Sequence, residues 1–241
     1  MVTVPTSTDG QPLGQRGIRT RQRILEAVAG AIERQGLRGL RLADVAEDVG
    51  ISPPAFYQYF NDLDEAILAL CAEIGGFLPT FSLDDEGLTN GDGSAESTRA
   101  FIARFFEYWE AHRAVLWARN IAVAAGDERF QTIRAEMFRP MVAGIEAFIR
   151  AGQREGRVDP SINPVTLGAA LTMLLDRMCM LAPQLGEWGT GSVDDLIDAL
   201  AYIFSRALGT GNQREPVGRG AVATDPGRNW RRKKPWRRTT R

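Results

Sequence analysis

Between Asp62 and Leu208 apolar residues recur at intervals of three and four, and nowhere do they alternate with polar ones as in a half-buried strand. A stretch that long with a single period folds as packed helices, so the chain is all-α. With three helices upstream, the spacing predicts a fourth from Asp62 to about Phe77, stopped by Pro79, and then a flexible Gly- and Asp-rich loop from Ser82 to Ser94. A fifth helix spans about Ala95 to Ala111, a sixth Ala114 to Ala124, and a seventh Glu128 to Glu155, kinked at Pro140. An eighth runs from Pro164, capped by Asn163, to Leu181, and a ninth from Val193 to Leu208.

Upstream, Ile24, Ala27, Val28, Ala31 and Ile32 share one face of a helix from Arg19 to Gln35 that leaves Arg19, Arg21, Arg23 and Arg34 solvated and closes at Gly36. Leu42, Val45, Ala46 and Val49 mark a second, short helix, which Gly50 ends by taking a left-handed backbone. Ser52 is positioned to cap a third, with Pro53 at its first position and Pro54 tolerated beside it. That helix has only about two turns, so it depends on packing through Phe56 and Phe60. Ala55, Gln58 and Tyr59 fall on its other faces, with Tyr57 at the boundary. Two short helices joined by a glycine turn fit a helix-turn-helix, whose second helix enters the major groove by its N-terminal end. An ordinary helical hairpin has the same spacing.

The formal net charge of -1 hides an uneven distribution: residues 11–60 carry +2, residues 61–213 carry -10 and residues 214–241 carry +8. An acidic body with mildly basic heads is repelled from DNA except through those heads. Residues 1–18 and 209–241 are rich in Gly, Pro, Ser, Thr or Arg without helical period, which predicts a flexible N-terminal arm and a flexible basic tail. Arg16 and Arg19 would let the arm reach a minor groove. The tail segment Trp230–Arg238 mixes basic and aromatic residues that suit nucleic acid, or is a solvated appendage. Cys71 and Cys179 lie singly in apolar helical patterns, as buried free thiols do. No apolar run is read as membrane-spanning and no secretory leader is read at the start, so a cytoplasmic protein without membrane attachment is expected.

Arg23-Ile24-Leu25-x-Ala27, Gly36 before a short loop, Val45-Ala46-x-x-Val49-Gly50-Ile51-Ser52 and Phe56-Tyr57-x-Tyr59-Phe60 together resemble the signature of TetR-family transcriptional regulators. The resemblance implies a nine-helix homodimer with a three-helix DNA-binding domain at residues 19–61 and a ligand-binding and dimerisation domain at residues 62–208. Double-stranded operator DNA and a hydrophobic small-molecule effector are the implied partners. Phosphate contact falls to the amide end at Ser52, to Tyr57 and to Tyr59, and base contact to Pro54, Ala55 and Gln58. Arg19, Arg41 and Pro53 complete the expected DNA-facing set. The chain departs from the family pattern at Arg41, where a capping Ser or Thr is usual, and at Leu63, where a phosphate-binding Lys is usual.

In the body, Phe101, Phe105 and Trp109 recur every fourth residue, and Trp117, Phe130, Met137, Phe138, Met141 and Phe148 continue across two further helices. Such a stripe is either core or the wall of an apolar pocket. Phe105-Phe106-Glu107-Tyr108-Trp109-x-x-His112-Arg113-Ala114-Val115 and the segment Leu171 to Arg177 are similar to the actinobacterial ethionamide-resistance-type repressors, which implies a long apolar channel. Phe105, Trp109, Trp117, Met137, Met141, Thr172, Leu175 and Phe204 are its expected lining. Thr172 and Leu175 stand where that subgroup has asparagines. Leu167, Leu171 and Leu174 on the eighth helix, with Leu196, Leu200 and Ile203 on the ninth, form either internal core or the two-fold interface that the family builds from its last two helices.

His112, the only histidine, ends an amphipathic helix and suits a capping or core role; no catalytic constellation, metal-ligand spacing or cofactor fingerprint is read. Three function classes therefore remain: a ligand-responsive transcriptional regulator, most often a repressor; a constitutive DNA-binding factor; and a helical lipid-binding or enzymatic domain with a vestigial head.

Overall fold

The computed structural model describes residues 5–79, 95–185, 189 and 191–210. Among them are nine α-helices: α1 Gln15–Gln35, α2 Leu42–Val49, α3 Pro53–Phe56, α4 Leu63–Gly75, α5 Ala95–Ala111, α6 Arg113–Ala124, α7 Glu128–Arg154, α8 Pro164–Leu185 and α9 Val193–Leu208. A 3-10 turn, Leu37–Gly39, joins α1 to α2, and the one strand-like pairing among the described residues is an isolated bridge between Thr6 and Pro12. The all-helical expectation holds for every described element.

Beyond one-residue shifts at α6 and α7, boundaries differ from the sequence reading at α1, α4 and α8. α1 opens at Gln15 rather than Arg19, and residues 5–14 are not the expected loose arm: Ser7 N–H donates to Gln11 O at 2.8 Å across a turn that ends at Gly10. Short Ser/Thr/Asp/Gly clusters close such turns with their own hydrogen bonds. α4 stops at Gly75, with Asp62 as its cap instead of its first residue. α8 runs to Leu185 through Pro183, because a proline in the last turn forfeits one bond where a mid-helix one would interrupt the ladder. Pro140 lies within an unbroken α7. The expected loop Ser82–Ser94 and the basic tail beyond Thr210 lie outside the described residues.

α1, α2 and α3 close over Ile24, Leu25, Val28, Val45, Val49, Phe56 and Phe60, each at most 2% exposed. α4 then leaves this head and packs on α1, α6 and α7, so one helix touches both parts. In the body α7 lies against α8 and α5 against α9. Gly168 permits the first contact, since a Cβ there would sit 3.3 Å from the carbonyl oxygen of Val142. Arg99 ties α5 to Asp198 of α9 at 2.6 Å, and Ser192 opens α9 with a full capping box made with Asp195.

Two findings correct the sequence reading here. Pro164–Gln184 is a helix of 21 residues, long and apolar enough to cross a membrane, where no such run was expected. Its Leu171, Leu175 and Cys179 are instead buried against neighbouring helices, and its buried Asp176 is paired within the fold. Ser205 of α9, read only as part of an apolar helix, has a buried hydroxyl without a hydrogen-bond partner among the described residues. Removing an unsatisfied buried hydroxyl relieves its desolvation cost. Ser205→Ala is expected to stabilise the protein by about 1 kcal/mol, visible as a raised urea midpoint at unchanged slope.

Candidate functional site

The helix-turn-helix is built from a sharp turn and a very short helix. Gly50 closes α2 with φ of 72°, and Ile51 N–H returns to Ala46 O at 2.9 Å. Pro53 and Pro54 fill the first two positions of α3, where no helical donor is lost. The hydroxyl of Ser52 makes no cap, against expectation; its carbonyl takes Ala55 N–H at 2.9 Å. α3 is one turn rather than two: beyond Phe56 the bonds tighten to Gln58 N–H on Ala55 O at 3.3 Å and Tyr59 N–H on Phe56 O at 2.9 Å, and Tyr57 to Tyr59 continue as turns. Arg41 likewise leaves α2 without a side-chain cap, as its identity implied.

Phe56 and Phe60 hold this segment down, both buried with ring centroids 5.8 Å apart. Ser52, Pro53, Pro54, Tyr57 and Gln58 are exposed, Ala55 and Tyr59 half-buried, and Arg19 and Arg41 exposed without an ion-pair partner among the described residues. Three arginines expected in solvent also brace the head, Arg23 and Arg34 remaining exposed and Arg21 half-buried. Arg21 lies 4.9 Å from the Phe60 ring centroid and pairs with Glu73 at 3.4 Å; Arg23 donates to Val49 O at 2.5 Å, and Arg34 pairs with Asp48 at 2.6 Å.

The N-terminal segment adds a contact that no periodicity signalled. Thr8 donates through its amide to Gln58 O at 3.1 Å and through Oγ1 to Tyr57 O at 2.9 Å. These carbonyls are the ones left without helical partners where α3 stops. Beyond them, Asp62 Oδ1 accepts from Glu65 N–H at 2.6 Å, while Glu65 reaches Asn61 N–H at 2.6 Å, one residue earlier than a capping box requires. Arg129 of α7 lies 3.6 Å from Asp62 and 3.4 Å from Asp64, offsetting the acidic start of α4.

In the body, the expected apolar wall encloses a charged centre. Arg119 is fully buried, and its Nη2 donates to Asp176 Oδ1 at 2.8 Å. Trp109 Nε1 donates to the same oxygen at 3.0 Å. Asn120 Nδ2 donates to Asp176 Oδ2 at 3.3 Å, and Asn120 Oδ1 accepts from Arg119 Nε at 3.1 Å. α5, α6 and α8 are thereby tied at one point. The sequence carried a signal for it: Arg119-Asn120 interrupts the apolar run Val115–Val123, and Asp176 interrupts Leu171–Met180.

The expected lining divides. Phe105, Trp109, Met137, Met141, Thr172, Leu175 and Phe204 are buried within the body, and the Thr172 hydroxyl is spent on Gly168 O at 2.9 Å, so it offers no free polar handle. Trp117 sits apart from them. It lines an open groove of about 870 Å³ between the end of α1, α6 and the end of α8, with Leu37, Arg38, Arg113 and Gln184. His112 precedes α6 but its side chain makes no cap; its ring meets Tyr108 at 4.9 Å, and burial lowers its pKa. Cys71 and Cys179 are buried free thiols, and burial pushes the Cys71 pKa up to about 11.

The family model for bacterial regulatory proteins of the tetR family matches residues 24–70, and the model for the tetracyclin repressor-like C-terminal domain matches residues 83–214. The chain belongs to the TetR family. Its relatives within this family of transcriptional regulators include the HTH-type transcriptional regulator EthR of Mycolicibacterium smegmatis, 26% identical over 77% of this chain and 84% of that protein. EthR of Mycobacterium tuberculosis is 25% identical over 86% of this chain and 98% of its own length. Among solved structures, a TetR-family regulator from Rhodococcus sp. superposes with a TM-score of 0.54 at 24% identity, covering 79% of this chain and 99% of that one. FadR from Bacillus subtilis, solved in complex with stearoyl-CoA, has a TM-score of 0.59 at 11% identity, over 77% and 98% of the two chains. These likenesses establish the TetR fold.

On α8 and α9, the set expected at a two-fold interface also divides. Leu171 and Leu200 are 4% and 2% exposed, already consumed by the protomer's own core, and Leu167, Leu174 and Leu196 are half-buried. Ile203 is exposed at 43%. Sequence reading missed Val165 and Met173 on α8 and Tyr202 on α9, which are exposed at 45%, 36% and 64%. Periodicity located the apolar helices but not which of two apolar faces the chain itself covers.

Proposed function

We propose that the chain is a ligand-responsive repressor that binds a palindromic operator as a homodimer and is released by a hydrophobic small molecule. The observation that carries this reading is the exposure of Pro53, Pro54, Tyr57 and Gln58 on a segment anchored from beneath by Phe56 and Phe60. Pro54, Ala55 and Gln58 read base edges, since Gln pairs with adenine and apolar groups meet thymine methyls. The amide end at Ser52 and Pro53, with Tyr57, Tyr59, Arg19 and Arg41, contacts phosphates. Val165, Met173, Tyr202 and Ile203 support a two-fold interface across α8 and α9, flanked by Leu167, Leu174 and Leu196. A dimer so built presents its heads to half-sites about 34 to 36 Å apart.

The effector occupies the aromatic body and favours a spread of the heads that no longer matches successive major grooves. It shifts the equilibrium only by its differential affinity for the two states, typically ~1 to 3 kcal/mol. The protein acts in the cytoplasm, where its DNA is.

Selection of bound fragments from a genomic pool tests the reading. Gln58→Ala is expected to lose about 1 to 3 kcal/mol of discrimination at one base pair of each half-site. Tyr57→Phe is expected to weaken binding to every fragment alike by about 1 kcal/mol. Identical selected sites for wild type and Gln58→Ala would remove the base-reading role, and a compound screen on the selected fragment then tests release.

A further inference from the structure

The charged centre of the body has more hydrogen-bond donors than good acceptors. Arg119 satisfies Nε and Nη2 on Asn120 and Asp176, but Nη1 ends on the sulfur of Met137 at 3.6 Å, with the guanidinium 5.1 Å from the Phe138 ring centroid. Asn120 Nδ2, besides its 3.3 Å bond to Asp176, ends on the sulfur of Met180 at 3.7 Å, which Arg177 Nη1 also approaches at 3.5 Å. A thioether is a weak acceptor and its side chain repacks readily. Every strong acceptor oxygen of Asp176 and Asn120 is already engaged. Charge is balanced as well: one buried cation faces one buried carboxylate at 2.8 Å.

From this imbalance we infer that the body binds an apolar molecule carrying a neutral acceptor oxygen, such as a ketone, ester or amide carbonyl, which replaces the Met137 sulfur at Arg119 Nη1. A ligand donor would have to share Asp176 Oδ2 with Asn120 Nδ2 and would leave Arg119 Nη1 on its sulfur, and an anion would leave the centre with an uncompensated charge in an apolar surround. The inference rests on the small-molecule reading above and names the chemistry of its ligand. It also gives a route to the head. Met137 packs on Gly75 at the end of α4, where a Cβ would stand 2.9 Å from Met137 Cγ, so moving Met137 is felt by the helix that joins head to body.

Equilibrium dialysis of the full chain against three probes tests it: 2-decanone, its methylene isostere 2-methyl-1-decene, and decanoate. The ketone is expected to bind about tenfold tighter than the isostere, the scale of one hydrogen bond to a charged group, and tighter than decanoate at neutral pH. Met137→Leu, which conserves volume and deletes the sulfur, is expected to widen the ketone preference. Equal binding of ketone and isostere to the wild type overturns the inference while leaving the small-molecule reading in place. So does a preference for decanoate, or a ketone preference that Met137→Leu leaves unchanged. Retention of neither uncharged probe also overturns it, and the DNA-release screen then judges the small-molecule reading separately.

Discussion

Asp176→Ala is expected to destabilise the protein by about 3 to 5 kcal/mol, because it strands a guanidinium that cannot reach water. Arg119 is fully buried, and the carboxylate it loses is also the acceptor for Trp109 Nε1 and one of two acceptors for Asn120 Nδ2. What would remain around the charge is Asn120 Oδ1, the Met137 sulfur and the face of Phe138. Urea unfolding followed by tryptophan fluorescence reads the loss directly. Replacing both partners by apolar residues, as in Arg119→Met with Asp176→Leu, is expected to be far milder, since neither charge is then left alone. The contrast between single and double variants is the informative quantity. A single variant within 1 kcal/mol of wild type would mean that solvent reaches Arg119 and that the centre is not enclosed as described.

Phe56→Ala is expected to cost about 3 to 5 kcal/mol and to abolish operator binding at concentrations where the wild type saturates. α3 has four residues, two of them prolines, and no side-chain cap, so nothing local sustains it. Its conformation is inherited from the burial of Phe56 at 0% exposure beside Phe60 at 1%. Taking out one of the two anchors removes both its hydrophobic term and the platform that presents Pro54 and Gln58. Band-shift titration with the selected operator, beside a melt of the head, separates the two losses. Full operator affinity in this variant would show that the reading segment is held by something other than its phenylalanines.

The helix pattern was legible because helical packing writes its period into the chain: Ile24, Val28 and Ile32 in the head, or Phe101, Phe105 and Trp109 in the body, face inward as their spacing required. Less legible was anything that depends on where a polar side chain ends up. Arg21 and Arg23 read as solvated, yet one lies against Phe60 and the other holds the end of α2, because a long stem can fold along an apolar surface and deliver its charge elsewhere. Arg119 and Asp176 are 57 positions apart, and only packing brings them together. Leu171 and Met173, like Leu200 and Tyr202, are two residues apart and lie on opposite faces of their helices, and spacing alone cannot say which of two apolar faces the chain itself covers. The short α3 has a different cause: Pro53 and Pro54 mark a helix start, but nothing in their chemistry says where the helix ends, and the turns at Tyr57 to Tyr59 end it.

Thr8 joins the beginning of the chain to the backbone of Tyr57 and Gln58, fifty residues downstream in sequence and adjacent in space. An affinity tag, a protease trimming the first ten residues, or an added modification at that hydroxyl would therefore act beside Tyr57 and Gln58, the residues proposed to meet DNA, not on a remote appendage. Preparations that differ only in how their first residues were engineered will differ in operator recognition.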